Sequence, residues 1–246
     1  MSSSLVGSEM CIRDRFLDTD GGKFQTSNSE IIDKFNSITG IYERRYAPDE
    51  INCSDLAAVA AGLAINDSKL DQETLDYIIV AHNTGDISCS SGQVDTLPSV
   101  ASKVKAKLKI KNPNCVAYDI ICGCPGWVEG IIQAKSFIKS GMAEKCLVVG
   151  CDTLSRILDE NDRDSMIYAD GSGAIILESD NSYDGGILSH KSATFTYDGE
   201  NDFIFYGASY DIKKRTKSDQ KFIKMQGRKV YELSLIHISE PTRLDD

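Results

Sequence analysis

Short apolar blocks of strand length alternate along this chain with stretches of helical spacing. Residues 76–82 (DYIIVAH), 114–121 (NCVAYDII), 145–151 (KCLVVGC) and 173–177 (GAIIL) are apolar and rich in β-branched side chains, the pattern of strands buried on both faces. Residues 54–65 read as a helix capped by Ser54, and the alanines of AAVAAGLA suit close packing against a sheet. Pro98 and Ser99 open a second helix. A third is predicted over residues 128–139, where Val128, Ile131, Ile132, Ala134, Phe137 and Ile138 fall on one helical face. This alternation predicts an α/β fold with a largely parallel sheet covered by helices on both faces. Residues 181–224, rich in Asp, Lys, Ser, Tyr and Gly, break the rhythm. They are expected to be an insertion or connector between a body at 16–180 and a further helix that starts at 225–232.

Charge narrows the function classes. With 27 basic and 37 acidic side chains the formal charge is −10, which argues against general binding to nucleic acid or to an anionic membrane. The longest apolar runs fall far short of a membrane span. Eight cysteines could frame a disulfide-rich secreted domain. Most of them instead sit in apolar, strand-like contexts, where a reduced cysteine behaves as a small hydrophobe, and the expected location is the cytoplasm.

The stretch DIICGCPGW, residues 119–127, carries the candidate chemistry. A strand runs into a Gly-Cys-Pro-Gly corner and a helix leaves it, with Pro125 suited to the first helical turn. Cys124 is then expected at a helix N-terminus, where the dipole favours a thiolate. Gly123 and Gly126 are expected to leave the backbone open to a substrate carbonyl. These are the requirements of a cysteine nucleophile with a backbone oxyanion site. Two other readings compete: Cys122 and Cys124 as buried packing residues, or a metal site shared with Cys115. The C-x₆-C-x-C spacing lacks the paired C-x-x-C of zinc sites and no histidine is near in sequence, so no metal is expected.

In order along the chain, TGIYERR (39–45), AAVAAGLA (57–64), LPSVA (97–101), DIICGCPGW (119–127), SGMAEKCLVVGCDTLS (140–155), DENDRDSMIYADGSGAIIL (159–177) and MQGRKVYE (225–232) resemble the β-ketoacyl-acyl-carrier-protein synthase III group of the thiolase superfamily. The resemblance implies a thiolase-like α/β fold, here its N-terminal half plus a connecting insertion, an incomplete version of the layered αβαβα arrangement. It implies an acyltransferase of fatty-acid synthesis. Its cysteine, falling on Cys124, takes an acyl group from an acyl-CoA or acyl-carrier-protein thioester. The acyl-enzyme is then attacked by the carbanion that malonyl-carrier protein leaves on losing carbon dioxide. No bound cofactor is implied. Acyl carrier protein is the implied partner and a homodimer the implied assembly.

The family's catalytic histidine and asparagine belong to its second half, and neither His82, His190 nor His237 matches them. Arg163 matches an arginine beside the adenine of coenzyme A. The tryptophan that partners it is replaced by Lys34, next to Phe35, and a following arginine by Ile38. These departures favour an acyl group delivered on carrier protein. Gly171 and Gly173 are expected at a tight backbone passage. The lysines at 103, 105, 107, 109 and 111 are read as a solvated helix face rather than a docking patch. Alternative readings are a specialised relative making polyketide, alkylquinolone or hydrocarbon precursors, an enzyme that only transfers acyl groups, and a non-catalytic partner subunit. The presence of Cys124 argues against the last.

Both ends differ in texture from the body. The DNA ATGTGTATAAGAGACAG encodes Met-Cys-Ile-Arg-Asp, found at residues 10–14, and its reverse complement encodes Leu-Ser-Leu-Ile-His, found at 233–237. Extended upstream, the same oligonucleotide accounts for LVGSE and ISEPTR, and it resembles a transposase adapter used in short-read library preparation. Residues 1–15 and 233–246 are therefore expected to be translated adapter and are set aside from fold reasoning, which removes Cys11 and His237 as candidates. On this reading the chain is a fragment. It is expected to be inactive in condensation and, with an apolar face uncovered, poorly soluble.

Overall fold

The computed structural model describes residues 3–4, 16–180 and 186–239, with side chains over 16–180 and 186–233. In chain order its principal elements are α1 (Asn28–Thr39), α2 (Cys53–Ser68), β1 (Tyr77–His82), α3 (Val100–Lys107), β2 (Val116–Ile121), α4 (Gly126–Lys139), β3 (Lys145–Thr153), β4 (Asp170–Glu178), β5 (Ile204–Gly207), α5 (Ile212–Arg215), β6 (Phe222–Met225) and α6 (Gly227–Ser239). Their contacts divide into two compact units. One holds Arg45–Arg156 and Ala169–Lys191, and the other is built around residues 16–44, Ile157–Tyr168 and the chain from Ser192 onward. Cys11 and the rest of 5–15 and 240–246 lie outside the described residues; α6 runs on through Ser239. Among the described residues no helix is long and apolar enough to cross a membrane.

The first unit is a four-stranded sheet in the order β2-β1-β3-β4. β1 lies parallel to both neighbours, pairing Ala81 with Ile120 of β2 and with Gly150 of β3. β4 returns antiparallel to β3, from Lys145 opposite Glu178 to Thr153 opposite Asp170. The α/β expectation therefore holds, with an antiparallel fourth strand. Side chains of a strand alternate between faces, and here each face has its own helices. Ile78, Val80, Leu147 and Val149 pack under α2 and α3 with Ala57, Ala61, Val100 and Val104. Ile79, Cys146 and Val148 pack on the other side with Ala134, Trp127, Ile131 and Phe137 of α4. β1 is buried from Ile78 to His82. β2, at the sheet edge, is half-exposed, and Ile121 at its end is 69% exposed.

Two helix boundaries differ from the sequence reading. α2 starts one residue early, after Asn52, whose N–H donates to Asp55 Oδ2 at 2.9 Å. Ser54 is inside the helix, and both its N–H and its hydroxyl donate to the Asp86 carboxylate, at 2.7 and 2.9 Å. A tertiary partner thus takes the side chain expected to cap. α4 begins at Gly126, two residues before the predicted start, with Pro125 as its N-cap, a shift of the kind helix ends show. Gly130 in this helix lets α4 sit close to the sheet, since a Cβ there would stand 2.9 Å from Val148 Cγ1.

The lysines of residues 103–111 are a solvated face only in part: Lys107, Lys109 and Lys111 are exposed, Lys103 and Lys105 are not. Lys103 Nζ lies 3.0 Å from Asp86 and 2.9 Å from Asp95, Lys105 donates to the carbonyls of Asn112 and Cys115, and Lys107 pairs with Asp55 at 2.7 Å. Three of the five are thus spent holding α3 to its surroundings.

The second unit has a core of Phe16, Ile31 and Met166, backed by Phe24, Ile32 and Phe35. α1 opens with a reciprocal capping box between Ser27 and Glu30. β5 and β6 form an antiparallel pair within the stretch read as a connector. Lys224 of β6 is fully buried and ion-paired to Asp159 at 2.7 Å and Asp162 at 3.2 Å. Asp159 also accepts from Ser209 Oγ and from the N–H groups of Tyr210 and Asn161.

Candidate active site

β1, β2 and β3 run in parallel and end on the same side of the sheet, at His82, Ile121 and Thr153. The carboxyl ends of parallel strands are where open α/β sheets bind ligands. The chain leaving β2 turns at once: Gly123 adopts a left-handed φ of +60°, and Gly126 N–H closes the turn on Gly123 C=O at 3.0 Å. Only glycine takes that φ without strain. Cys124 stands at the apex, one residue before the α4 N-cap. Cys122 and Cys124 are both exposed, so burial as packing residues does not describe either.

Cys124 borders an open cleft of about 380 Å³, shared with Gly123, Trp127, Gly150, Asp152 and Ser172. The Trp127 ring lies against Gly150, where a Cβ would approach its Cδ1 to 3.1 Å. Gly171 and Gly173 also line the cleft. A Cβ on either would meet nothing within 4 Å, so they border open space rather than a tight passage. Gly126 departs from expectation the other way. It is buried, a Cβ there would be 3.1 Å from that of Ala81, and its N–H is already bonded in the turn. The open backbone at this corner is therefore that of Gly123, not of Gly126.

A polar pair braces the cleft. Asn83, just after β1, donates from its backbone N–H to Asp152 Oδ1 at 2.9 Å and from its side-chain amide to Oδ2 at 2.6 Å. Burial pushes the Asp152 carboxyl above its ordinary value, against the lowering effect of the two Asn83 bonds. A Cβ on Gly123 would lie 3.5 Å from Asn83 Oδ1, so the same amide backs the turn that carries Cys124. Asn83 and Asp152 are 69 residues apart in sequence, and no local pattern announces the pair.

His82 faces away from this cleft. Its Nε2 lies 3.0 Å from Asp119 Oδ2, and Asp119 also accepts from the N–H groups of Val100 and Ala101 at the start of α3. Burial alone would raise the Asp119 carboxyl, but the bonds from His82, Ala101 and Val100 outweigh it and hold its pKa below the usual carboxylate value. His190 is exposed; the side chain of His237 lies outside the described residues. Arg163, in the second unit, is half-exposed. Its guanidinium sits 4.9 Å from the Phe24 ring centroid and its Nε 3.8 Å from Asp164. Lys34 is exposed and Phe35 packs into that unit's core. The aromatic neighbour of Arg163 is thus Phe24, ten positions before the site where the resemblance placed one.

A second hollow of about 190 Å³ lies along α2, lined by Tyr46, Leu56, Val59, Ala60 and Leu63 among others. Val59 and Leu63 are 56% and 65% exposed there. It is chiefly apolar, and none of the described cysteines lines it.

Comparison with known proteins agrees with the corner and the sheet. The sequence profile of 3-oxoacyl-[acyl-carrier-protein] synthase III matches residues 118–195, which include Cys124. Beta-ketoacyl-[acyl-carrier-protein] synthase III 1 of Vibrio vulnificus is 36% identical over 204 residues, 82% of this chain and 58% of the relative. The synthase III of Ehrlichia canis is 39% identical over 175 residues, 70% of this chain and 50% of the relative. The chain thus spans between half and three-fifths of the length of these relatives. Among solved structures, the 3-oxoacyl-(acyl carrier protein) synthase III of Pseudomonas aeruginosa superimposes with a TM-score of 0.70 at 27% identity, covering 98% of this chain and 67% of that one. The corresponding Aquifex aeolicus structure gives 0.64 at 29% identity, covering 85% of this chain and 58% of that one. Shared sequence around Cys124 and a shared sheet thus make this chain similar, over half to three-fifths of their length, to β-ketoacyl-[acyl-carrier-protein] synthase III proteins.

Proposed function

We propose that the protein to which this chain belongs is a cytoplasmic acyltransferase of fatty-acid synthesis with Cys124 as its nucleophile. The observation that carries this reading is the exposed Cys124 at the apex of a glycine-framed turn, bordering a cleft at the ends of three parallel strands. Cys124 Sγ attacks the carbonyl of an acyl thioester. The tetrahedral intermediate collapses, the carrier thiol leaves with a proton, and an acyl-cysteine remains. Malonyl-carrier protein then loses carbon dioxide, and its carbanion attacks the acyl-cysteine and releases the Cys124 thiolate and a β-ketoacyl thioester. Acyl carrier protein is the proposed partner. Arg163, stacked on Phe24 rather than on a ring at position 34, is proposed to contact the acyl carrier. The working assembly is proposed to be a homodimer.

Among the described residues His82 is bonded to Asp119, and neither it nor His190 lines the cleft. This chain alone is therefore expected to take up an acyl group or an alkylating agent at Cys124 without releasing carbon dioxide from malonyl-carrier protein. Mass spectrometry after exposure to iodoacetamide or acyl-CoA tests the nucleophile: label is expected on Cys124, and Cys124→Ala should abolish it. Label confined to Cys122, or absent from both, would sink the reading.

A further inference from the structure

Cys53, in the first turn of α2, and Cys151, on β3, face each other with their sulfurs 3.0 Å apart and both thiols free. That separation is only about 1 Å longer than a disulfide bond of roughly 2.0 Å. Cys53 is fully buried, whereas Cys151 is 5% exposed and belongs to the wall of the Cys124 cleft. Cys151 is therefore the member of the pair nearer solvent, its residue in the cleft wall, and the second sulfur lies behind it. No other pair of described cysteines is recorded in sulfur–sulfur contact.

We propose that Cys53 and Cys151 are a redox modification site, closed to a disulfide by a peroxide that enters through the Cys124 cleft. Peroxide oxidises the Cys151 thiol to a sulfenic acid and leaves as water. The Cys53 sulfur then attacks the sulfenic sulfur, the S–O bond breaks, and the oxygen departs as a second water with the proton that Cys53 gives up. Two thiols lose two electrons in all, and one peroxide becomes two waters. The order follows from the environments. Cys151 is slightly exposed and Cys53 fully buried, so the oxidant meets Cys151 first and Cys53 acts as the resolving partner.

The bond has consequences at the cleft. Cys151 stands between Gly150, which carries the Trp127 ring against it, and Asp152, which braces Asn83. Drawing Cys151 toward α2 shifts both neighbours, so oxidation is expected to slow alkylation of Cys124 and reduction to restore it. In a reducing compartment such a bond is transient and regulatory rather than structural.

The test uses the full 246-residue chain. Reduced protein is exposed to hydrogen peroxide, quenched with catalase, alkylated with N-ethylmaleimide in guanidinium, digested and mapped by mass spectrometry. The expected product is a peptide pair linked through Cys53 and Cys151, reversed by dithiothreitol and lost in Cys151→Ser. The link must form faster in the folded chain than in guanidinium. Cys124→Ala should retain it, so its failure is distinguishable from failure of the nucleophile assignment. Recovery of both thiols alkylated after Cys122 or Cys124 has been oxidised would overturn the proposal. So would a disulfide that joins either thiol to any other cysteine.

Discussion

Replacing Lys224 by methionine tests what holds the β5–β6 pair to residues 157–168 of its unit. Methionine keeps the unbranched stem and removes only the ammonium. Lys224 and Asp159 side chains are each 1% exposed and Asp162 6%, so the variant leaves carboxylates without their cation in a site that water does not reach. Breaking a buried pair in this way costs about 3–5 kcal/mol, against about 0–1 kcal/mol for an exposed one. Asp159 retains three donors, from Ser209, Tyr210 and Asn161, which places the expected loss near the lower end, about 3 kcal/mol. The Tyr210 ring, 3.6 Å from the ammonium, also loses its cation, a contribution already inside that range.

Hydrogen exchange of the β5 and β6 amides reads this unit directly. A loss of about 3 kcal/mol corresponds to roughly 100-fold faster exchange where opening limits it. The double variant Asp159→Asn with Lys224→Met removes the stranded charge and should recover part of the protection. Acid adds a second readout. Burial would raise the Asp159 carboxyl, but the Lys224 bond and the Tyr210 N–H outweigh it and hold the folded-state pKa below 3.8. A depressed folded pKa contributes stability above the unfolded value, and that contribution is lost as pH falls through the folded one. Protection in the wild type should therefore fall below about pH 4, and the dependence should flatten in Lys224→Met. Exchange accelerated less than fivefold, or no recovery in the double variant, would refute the account of a buried ionic lock.

Two further substitutions test the first unit. Gly130→Ala and Gly62→Ala both gain about 1 kcal/mol of helix propensity. At Gly130 the methyl meets Val148 at 2.9 Å and Ile79 at 3.4 Å, whereas at Gly62 the nearest atom is 3.8 Å away. Overpacking costs about 1–3 kcal/mol, so the melting temperature should fall for Gly130→Ala and rise for Gly62→Ala; shifts of the same sign would contradict the close-approach argument. Asp119→Asn removes the carboxylate shared by His82, Val100 and Ala101 and should cost about 2 kcal/mol in urea unfolding. Because the Asp119 pKa is lowered in the folded chain, the variant should also lose less stability than the wild type as pH drops below about 4, and equal acid sensitivity would count against it.

Local signals in the sequence carried most of the first unit. The apolar block at 76–82 is a strand buried on both faces, the alanines of AAVAAGLA include the two that meet the sheet, and the apolar spacing of 128–139 lies within α4. What the sequence did not display is nonlocal. Ser54 looked like a cap because its partner, Asp86, is 32 residues away. Lys103, Lys105 and Lys107 looked unpartnered because Asp95, the Cys115 carbonyl and Asp55 come to them from other segments. The antiparallel return of β4 follows from its pairing with β3, which no residue type in GAIIL specifies. One local signal was present and unread: Ser27 with Glu30 is a capping box that marks the start of α1.

The placement of Cys124 depends on the register of the sheet more than on the turn that carries it. Ala81 pairs with Ile120 on one side and Gly150 on the other, so β1 and β2 end at one level and β3 runs two residues further, to Thr153. Asn83, the Gly123–Cys124 turn and Asp152 then emerge together, and the Asn83–Asp152 bonds clamp the β1 exit to that of β3. A one-residue slip of β2 would move its side chains to the opposite face and carry the Cys124 turn off the Asn83 amide. Cys124 is thus positioned by buried strands, which tolerate little change. The open side of the cleft is different. Ser172 lies there between Gly171 and Gly173, whose missing side chains would meet nothing. Substitutions that reshape the cleft can therefore accumulate on β4 at small cost to the fold, while those on β1 and β3 cannot.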